Sequence, residues 1–287
     1  MTTNQSGGFN VDKSKIKADE ITGRDHIEGG QHIYYPPAPT PLRKAELPNQ
    51  PYFFGREDEL ETIKDALAPE NRSWGALIDG PGGIGKTALA IRAGHLAPEG
   101  NFKTKIFLSA KVRDLTPQGE EKLEDFMLPN YIALLSELAR ELGEDDIAKI
   151  PENERANTVR RILSDRHALI IIDNLETFTE TERKRVFQFL GRLPASCKAI
   201  VTSRRRTDVD ARIVRLDKLS REAALKLIEE LATRNKHLAR ATLEERAHLY
   251  GTASGNPQFI KWIAGQLGRK ESKCRTIDEA CKFIENA

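Results

Sequence analysis

Short apolar runs alternate with stretches of helical periodicity along most of the chain after residue 50. This alternation predicts strands joined by crossover helices, which is typical of a parallel α/β sheet. The predicted strands are Trp74 to Asp79, Lys105 to Ser109, Ala168 to Asp173, Lys198 to Thr202 and Arg212 to Leu216. The predicted helices between them lie near Gly85 to Leu96, Phe126 to Leu142, Arg155 to Ser164 and Glu180 to Leu193.

The strand pattern stops after Leu216, and only helical periodicity follows. Four helical stretches are predicted to begin near Ser220, Thr242, Asn256 and Thr276. Ser220 and Thr242 have the character of N-caps, because an acidic residue follows each of them two or three positions later. A small helical subdomain is therefore expected to follow the five-stranded sheet.

The first 50 residues differ from the rest of the chain. Isolated aliphatic residues recur every five or six positions among polar ones, at Val11, Ile16, Ile21, Ile27 and Ile33. This spacing fits a small β arm or the edge of a short β-solenoid, and it fits equally a disordered tail with chance spacing. The proline-rich stretch that follows predicts a semi-rigid linker. The predicted domains are an arm at 1–35, a linker at 36–50, a sheet domain at 51–217 and a helical subdomain at 218–287.

Composition narrows the classes of function. The chain has 287 residues, with 45 Lys and Arg against 43 Asp and Glu, so its net charge of +2 provides no overall basic field for nucleic acid or a membrane surface. No apolar run approaches the roughly 18 residues that span a bilayer, and the N-terminus lacks the pattern of a secretory signal. The three cysteines have no metal-ligand spacing, which favours reduced thiols and a cytoplasmic location.

A phosphate-binding loop is the clearest chemical motif. Residues 80–87 read Gly-Pro-Gly-Gly-Ile-Gly-Lys-Thr, between a predicted strand and a predicted helix. Glycines allow backbone N–H groups to point at phosphate oxygens, and the start of the helix adds its positive end. Lys86 is predicted to contact the β- and γ-phosphates, and its side chain is expected to be hydrated when the loop is empty. The Thr87 hydroxyl is a predicted Mg²⁺ ligand.

Two further strands supply candidates for catalysis. Asp173 ends a buried-strand run, and a carboxylate on a strand beside the loop can hold Mg²⁺. Asn174 occupies the position where many ATPases carry a second carboxylate, so Glu176 is the candidate base, with a solvent-facing turn residue as the alternative. Arg204 follows another apolar strand and is predicted to sense the γ-phosphate, whereas Arg205 and Arg206 are interpreted as a solvated turn.

These motifs together resemble the STAND ATPases, the family of signal-transducing ATPases that includes the NB-ARC modules of plant resistance proteins and apoptotic-protease-activating factors. Residues 53–57, Phe-Phe-Gly-Arg-Glu, are similar to the family's entry motif, and residues 202–204 to its sensor strand. Residues 255–257, Gly-Asn-Pro, are similar to its Gly-x-Pro motif, although they also fit an ordinary helix start. The resemblance implies that Phe53, Phe54 and the backbone near Arg56 frame the adenine and that Pro257 packs against it.

The resemblance implies an ATP/ADP switch with Mg²⁺, slow hydrolysis and self-association on activation, in bacterial-type immune signalling or regulation. The family's winged helix, its histidine and an effector domain are not apparent, so we expect a core cut from a longer receptor or a minimal member. The alternatives are a stand-alone AAA-type ATPase with steady turnover and a nucleic-acid binder, which the spread of Lys and Arg over the whole chain disfavours. The predicted nucleotide-binding residues are Phe53, Phe54, Arg56, Gly80, Gly82, Gly83, Ile84, Gly85, Lys86, Thr87, Ala88 and Pro257; the predicted metal ligands are Thr87 and Asp173; the predicted catalytic residues are Lys86, Asp173, Glu176 and Arg204.

Overall fold

The computed structural model describes residues 47–50, 52–110, 113–116, 119–122, 128, 130–205, 207, 209–272 and 274–285. The predicted arm at 1–35 and most of the predicted linker lie outside these residues. None of the described helices is long and apolar enough to cross a membrane.

In chain order, the strands are β1 (Gly75–Asp79), β2 (Thr104–Ser109), β3 (Arg113–Thr116), β4 (Gly119–Lys122), β5 (Ala168–Asp173), β6 (Lys198–Ser203) and β7 (Arg212–Arg215). The helices are α1 (Glu57–Leu67), α2 (Lys86–Leu96), α3 (Tyr131–Glu141), α4 (Glu152–Ser164), α5 (Glu180–Leu190), α6 (Arg221–Ala232), α7 (Lys236–Ala239), α8 (Leu243–Thr252), α9 (Pro257–Gln266) and α10 (Ile277–Glu285).

Five strands form one parallel sheet in the order β2-β5-β6-β1-β7, and helices flank it on both faces. The predicted fold class is therefore confirmed, and the five predicted strands agree with the observed ones to within one residue at each end. In this order, β1 lies between β6 and β7, and β5 follows on the other side of β6. The carboxyl ends of β1, β5 and β6 therefore meet at one edge, where open α/β sheets bind ligands.

The buried strands explain why the apolar runs are continuous. Every residue of β5 and of β6 is buried, because helices cover both faces of the sheet. Ile170 and Ile172 pack with α3, α4 and α5, whereas Leu169 and Ile171 pack with α1 and α2. Alternate side chains of one strand thus supply two separate cores, as the period of two in a strand requires.

The chain after β7 is helical, and α6, α8, α9 and α10 bury a core of their own. We call these four helices the helical cluster. Ile228 of α6, Leu249 of α8, Ile260 of α9 and Ala280 of α10 are each fully buried within it. The N-cap predicted at Thr242 is present and forms a capping box, since its hydroxyl accepts from the Glu245 N–H while the Glu245 carboxylate accepts from the Thr242 N–H.

Several elements differ from the prediction, among them α4, which begins at Glu152 rather than at Arg155, and the short helix α7, which was not predicted. Helix α3 begins at Tyr131 rather than near Phe126, because the Asn130 side chain accepts a hydrogen bond from the Ala133 N–H and caps the helix there. Helix α1 and the β3–β4 hairpin were not predicted. The signal for α1 was present, because Leu60, Ile63 and Leu67 recur at helical spacing.

Candidate functional site

The phosphate loop connects β1 to α2 at the carboxyl edge of the sheet. Gly85 precedes α2 with φ +102°, a conformation that favours glycine, and α2 begins at Lys86. The Lys86 ammonium donates hydrogen bonds to the carbonyl oxygens of Gly80 at 2.9 Å and Pro81 at 2.8 Å. Only 6% of Lys86 is exposed, so the expectation of a hydrated side chain is wrong. The side chain folds back on its own loop, and burial lowers the pKa of Lys86.

The Asp173 carboxylate lies beside this loop at the end of β5 and is 1% exposed. It accepts hydrogen bonds at Oδ1 from the hydroxyls of Thr87 and Thr202, both at 2.7 Å, and at Oδ2 from the Ser109 hydroxyl at 3.4 Å. The four side chains come from α2, β6, β2 and β5, which meet at the sheet edge. The structure thus brings the two predicted metal ligands, Thr87 and Asp173, within hydrogen-bonding distance of each other.

This oxygen-rich set fits a hard cation. Mg²⁺ in nucleotide sites is held by one or two protein oxygens together with phosphate oxygens and water. A carboxylate and a hydroxyl in contact match that requirement without further protein ligands. Accordingly, the described part of the chain contains no group of three or more His, Cys, Asp and Glu side chains that could hold a metal by itself.

Glu176 and Arg204 form an ion pair above the loop. The Arg204 Nε lies 2.9 Å from Glu176 Oε1, and the Arg204 backbone N–H donates to Glu176 Oε2 at 3.1 Å. The Arg204 guanidinium lies across Gly82, where an added Cβ would be 3.4 Å from its central carbon. Because 61% of the Arg204 side chain is exposed, a phosphate can compete with Glu176 for it.

Asn174 contributes through its backbone. Its N–H donates to the Thr202 hydroxyl at 2.9 Å, and its φ of +65° turns the chain out of β5. This turn starts a 3-10 helix at Leu175–Thr177, which places Glu176 opposite Arg204. Asn174 therefore positions the neighbouring acid and also lines the cavity described next.

The loop lines a cavity of about 1180 Å³ together with residues of α6, of α9 and of the turn after α6, which we call the helical wall. Pro257 and Phe53 line it, and Phe54 does so while packing against the helical cluster. The Arg56 guanidinium donates to the Asp217 carbonyl and to Glu59. It therefore connects residues 53–57 to the segment between β7 and α6. Most of the predicted site residues share this cavity: Phe53, Phe54, Arg56, Gly82, Gly83, Ile84, Gly85, Lys86, Thr87, Ala88, Glu176, Arg204 and Pro257.

Two predicted residues do not line the cavity. Gly80 lies behind the loop, where its carbonyl accepts from Lys86, and Asp173 lies behind Thr87. Access to Asp173 therefore requires its hydroxyl partners to move aside.

The helical wall holds charges that the sequence reasoning missed. The Arg234 guanidinium lies 5.2 Å and the Lys261 ammonium 5.4 Å from the centre of the Tyr52 ring. Burial lowers the pKa of Lys261. Among the residues that the structure describes, the cavity is lined by the basic residues Arg56, Lys86, Arg204, Arg234 and Lys261 and by one acidic residue, Glu176. Although the net charge of the chain is close to zero, this cleft has a positive electrostatic potential. No local motif indicates this potential, because the cationic residues are far apart in the sequence.

The helical wall also contacts the loop directly. The Asn256 side-chain amide donates to the Gly82 carbonyl at 3.0 Å, and the Gln258 N–H points at the Gly83 carbonyl at 3.3 Å. Asn256 was part of a predicted motif but was not a predicted site residue. The only local signal was an asparagine before a proline at a helix start.

Comparison with known proteins assigns the family. A family model described as AAA ATPase domain matches residues 52–238, which include the phosphate loop, Asp173, Arg204 and helix α6. The chain belongs to the AAA ATPase domain family. It is therefore a P-loop ATPase, a class that binds nucleotide and usually Mg²⁺.

Curated relatives of this AAA ATPase domain include two regulatory proteins named AfsR. The protein of Streptomyces griseus is 33% identical over 229 residues, which cover 75% of this chain and 20% of the relative. The protein of Streptomyces coelicolor is 29% identical over 247 residues, covering 80% of this chain and 22% of the relative. The chain thus spans about a fifth of the length of these relatives.

Solved structures support the fold of this AAA ATPase domain. A signal transduction ATPase with numerous domains from Pyrococcus horikoshii, which has a tetratricopeptide repeat sensor, aligns with a TM-score of 0.51 at 23% identity, over 80% of this chain and 32% of that one. Domain III of the Thermotoga maritima replication initiation protein DnaA aligns with a TM-score of 0.50 at 14% identity, over 86% of this chain and 98% of that one.

The ion pair leads to a prediction about the catalytic base. We expect Glu176→Gln to slow ATP hydrolysis about 10²-fold or more while ATP affinity changes little, because an amide accepts a hydrogen bond but cannot take the proton of water. Single-turnover hydrolysis and equilibrium binding measure the two effects. Glu180→Gln removes an exposed carboxylate that pairs with Lys184, and this control should hydrolyse at the parental rate. Parental hydrolysis by the Glu176 variant would leave Glu176 only the role of holding Arg204.

Proposed function

We propose that this ATPase is an ATP/ADP-binding signal-transduction switch of the STAND class with an NB-ARC-like core. The observation that carries the proposal is the shared cavity, in which the phosphate loop faces the first turns of α9. A nucleotide in this cavity contacts the sheet domain and the helical cluster at once. Its phosphate state can therefore bias how the two are oriented, as in other hinge-type switches.

The predicted catalytic residues and metal ligands each have a role in this proposal. Lys86 leaves the Gly80 and Pro81 carbonyls for the β- and γ-phosphates, and Arg204 exchanges Glu176 for the γ-phosphate. Thr87 and Asp173 hold Mg²⁺, which neutralises phosphate charge when bound. Release of Arg204 frees the Glu176 carboxylate to accept a proton from water, so triphosphate binding and activation of the base are coupled.

The proposal extends to slow hydrolysis and to self-association in the triphosphate state, in the cytoplasm. The names of the AfsR relatives support a regulatory setting for this chain, and the resemblance to the STAND family keeps immune signalling as a second setting. The effector or sensor would be carried elsewhere in a longer chain or by a partner. The described cysteines are all buried, which is compatible with reduced thiols in a reducing compartment.

A second candidate function is an AAA-type ATPase with steady turnover, and the match to the AAA ATPase domain model supports its ATPase class. The two candidates differ in how nucleotide state relates to shape. A switch changes conformation or assembly on binding ATP and hydrolyses it slowly, whereas a turnover machine cycles continuously.

The decisive experiment compares Arg204→Ala with the parental protein in apo, ADP and non-hydrolysable ATP-analogue states. We expect the variant to lose at least about tenfold in affinity for the ATP analogue and far less for ADP, because only the triphosphate presents the γ-phosphate. Small-angle scattering and light-scattering mass should change with the analogue in the parental protein and not in the variant.

Arg205→Ala is the matched control, because Arg205 follows in the same turn, where its backbone N–H donates to the Ser203 hydroxyl. It should behave as the parental protein does. Equal losses for ATP analogue and ADP in Arg204→Ala would make Arg204 a general electrostatic residue. Identical shape and mass in all nucleotide states, with rapid turnover, would favour the AAA-type machine.

A further inference from the structure

The helical cluster contacts the phosphate loop through the carbonyl groups of two successive peptides. The Asn256 Nδ2 donates to the Gly82 oxygen at 3.0 Å. The Gln258 N–H is shared between the Asn256 Oδ1 at 3.0 Å and the Gly83 oxygen at 3.3 Å. Both donors belong to the start of α9. The contact is therefore made by the backbone of the loop and is independent of its side chains.

A trans peptide group is planar, and its C=O and N–H point in opposite directions. Holding the Gly82 carbonyl therefore orients the Gly83 N–H away from α9, and holding the Gly83 carbonyl does the same for the Ile84 N–H. Neither of these N–H groups has a hydrogen-bond partner in the part of the chain that the structure describes. Phosphate-binding loops use N–H groups of this kind to bind phosphate oxygens.

The space around Gly83 shows how closely the phosphate loop and the start of α9 approach each other. A Cβ added to Gly83 would lie 2.6 Å from the Gln258 Oε1, 2.8 Å from its Cβ and 3.0 Å from the Asn256 Oδ1. The φ of Gly83 is +72°, which also favours glycine. Any side chain here would push α9 away from the loop, so glycine permits the hydrogen bonds behind it.

We propose that Asn256 is a positioning residue for phosphate binding, which orients the Gly83 N–H towards bound phosphate by holding the Gly82 carbonyl. The proposal rests on the proposed function, because it takes the loop to bind nucleotide phosphate. It explains how the position of the helical cluster is coupled to phosphate binding. When α9 moves away, the peptide planes of the loop are no longer held in place, and the affinity of the loop for phosphate falls. By linkage, phosphate binding then favours docking of α9 to the same extent.

Asn256 has two functions that substitution can separate. Its Oδ1 caps α9 by accepting from the N–H groups of Gln258 at 3.0 Å and Phe259 at 3.4 Å, while its Nδ2 holds the loop. Serine is as good an N-cap as asparagine but has no amide to reach Gly82. Asn256→Ser therefore removes the hydrogen bond to the Gly82 carbonyl and keeps the N-cap of α9.

The experiment measures the binding of ATP and of inorganic triphosphate to the purified chain by calorimetry. Inorganic triphosphate probes the loop without the base. We expect Asn256→Ser to weaken both ligands about three- to tenfold, the range set by the net value of one hydrogen bond, with little change in the apo melting temperature. The control is Asn130→Ser, the same replacement at the N-cap of α3, which should leave both affinities at the parental values.

Asn256→Asp provides a second variant, in case the serine protein does not fold. Aspartate is also a strong N-cap, but it presents an oxygen to the Gly82 carbonyl, so it should weaken both ligands at least as much as serine does. Parental affinity for triphosphate in a folded Asn256 variant, or an equal loss in Asn130→Ser, would overturn the proposal.

The failures of the two proposals remain distinguishable. A parental protein that binds ATP without changing shape contradicts the switch, while the Asn256 effect on affinity still stands. A protein that changes shape with ATP but is indifferent to Asn256 contradicts only the positioning role.

Discussion

Lys86→Ala is expected to abolish the thermal stabilisation of this ATPase by ATP. A ligand at about 100 times its dissociation constant stabilises the folded state by roughly 2.7 kcal/mol, which raises the melting temperature by several degrees. Lys86 is the cation at the centre of the loop, and in the structure its ammonium already bridges the carbonyls of Gly80 and Pro81. Without it the triphosphate loses a buried ionic contact, so differential scanning fluorimetry should record no ATP-dependent shift.

The apo protein should also melt at a slightly lower temperature in this variant, because two carbonyls lose their donor. Lys198→Ala provides a matched control at the opposite end of the sheet. Lys198 is 5% exposed, its ammonium donates to the carbonyls of Asn71 at 2.6 Å and Ser73 at 2.8 Å, and burial lowers its pKa. This control should melt at a lower temperature and still respond fully to ATP. An unchanged ATP shift in Lys86→Ala would refute the assignment of the phosphate loop.

Asp173→Asn is expected to remove the Mg²⁺ dependence of nucleotide binding. It is also expected to slow hydrolysis by about 10²-fold or more, because a metal contributes several kcal/mol of charge stabilisation to phosphoryl transfer. An amide keeps an acceptor oxygen for the Thr87 and Thr202 hydroxyls, so the fold should survive the change. ATP binding measured with Mg²⁺ and with EDTA should give different affinities for the parental protein and the same affinity for the variant.

Asp79→Asn is the control for this experiment. Asp79 is also a buried carboxylate at the end of a strand, but it pairs with Arg215 at 3.3 Å on the other side of the loop. Its variant should retain the difference between Mg²⁺ and EDTA. If Asp173→Asn also retained it, Asp173 would be only a structural acceptor for the neighbouring hydroxyls.

Local patterns were sufficient for much of the site. The glycines and Lys-Thr of residues 80–87 have to follow one another to form a cradle, so the sequence itself carries the motif. Strands β5 and β6 were predicted almost to the residue, because burial on both faces leaves a continuous apolar run that ends where the sheet ends. Their polar last residues indicated the ligand-binding edge for the same reason.

Contacts between distant residues were beyond that reasoning. The expectation for Lys86 was wrong because the loop curls over its own side chain. Glu176 and Arg204 were each proposed for the γ-phosphate or its water, yet their pairing with each other depends on how the turn at Asn174 faces the end of β6. Neither segment of the sequence indicates that the Glu176 and Arg204 side chains lie close together.

The sequence alone determined the fold class, the phosphate loop and the carboxyl edge of the sheet, because each depends on neighbouring residues and on a period of two or 3.6. Only the tertiary structure decided how the helical cluster meets the loop: the hydrogen bond from Asn256 to Gly82 joins residues 174 positions apart. The same holds for the contacts of Arg234 and Lys261 with the Tyr52 ring. Such contacts arise from the packing of separate elements, and packing depends on the shape of both surfaces at once, which no single stretch of sequence contains.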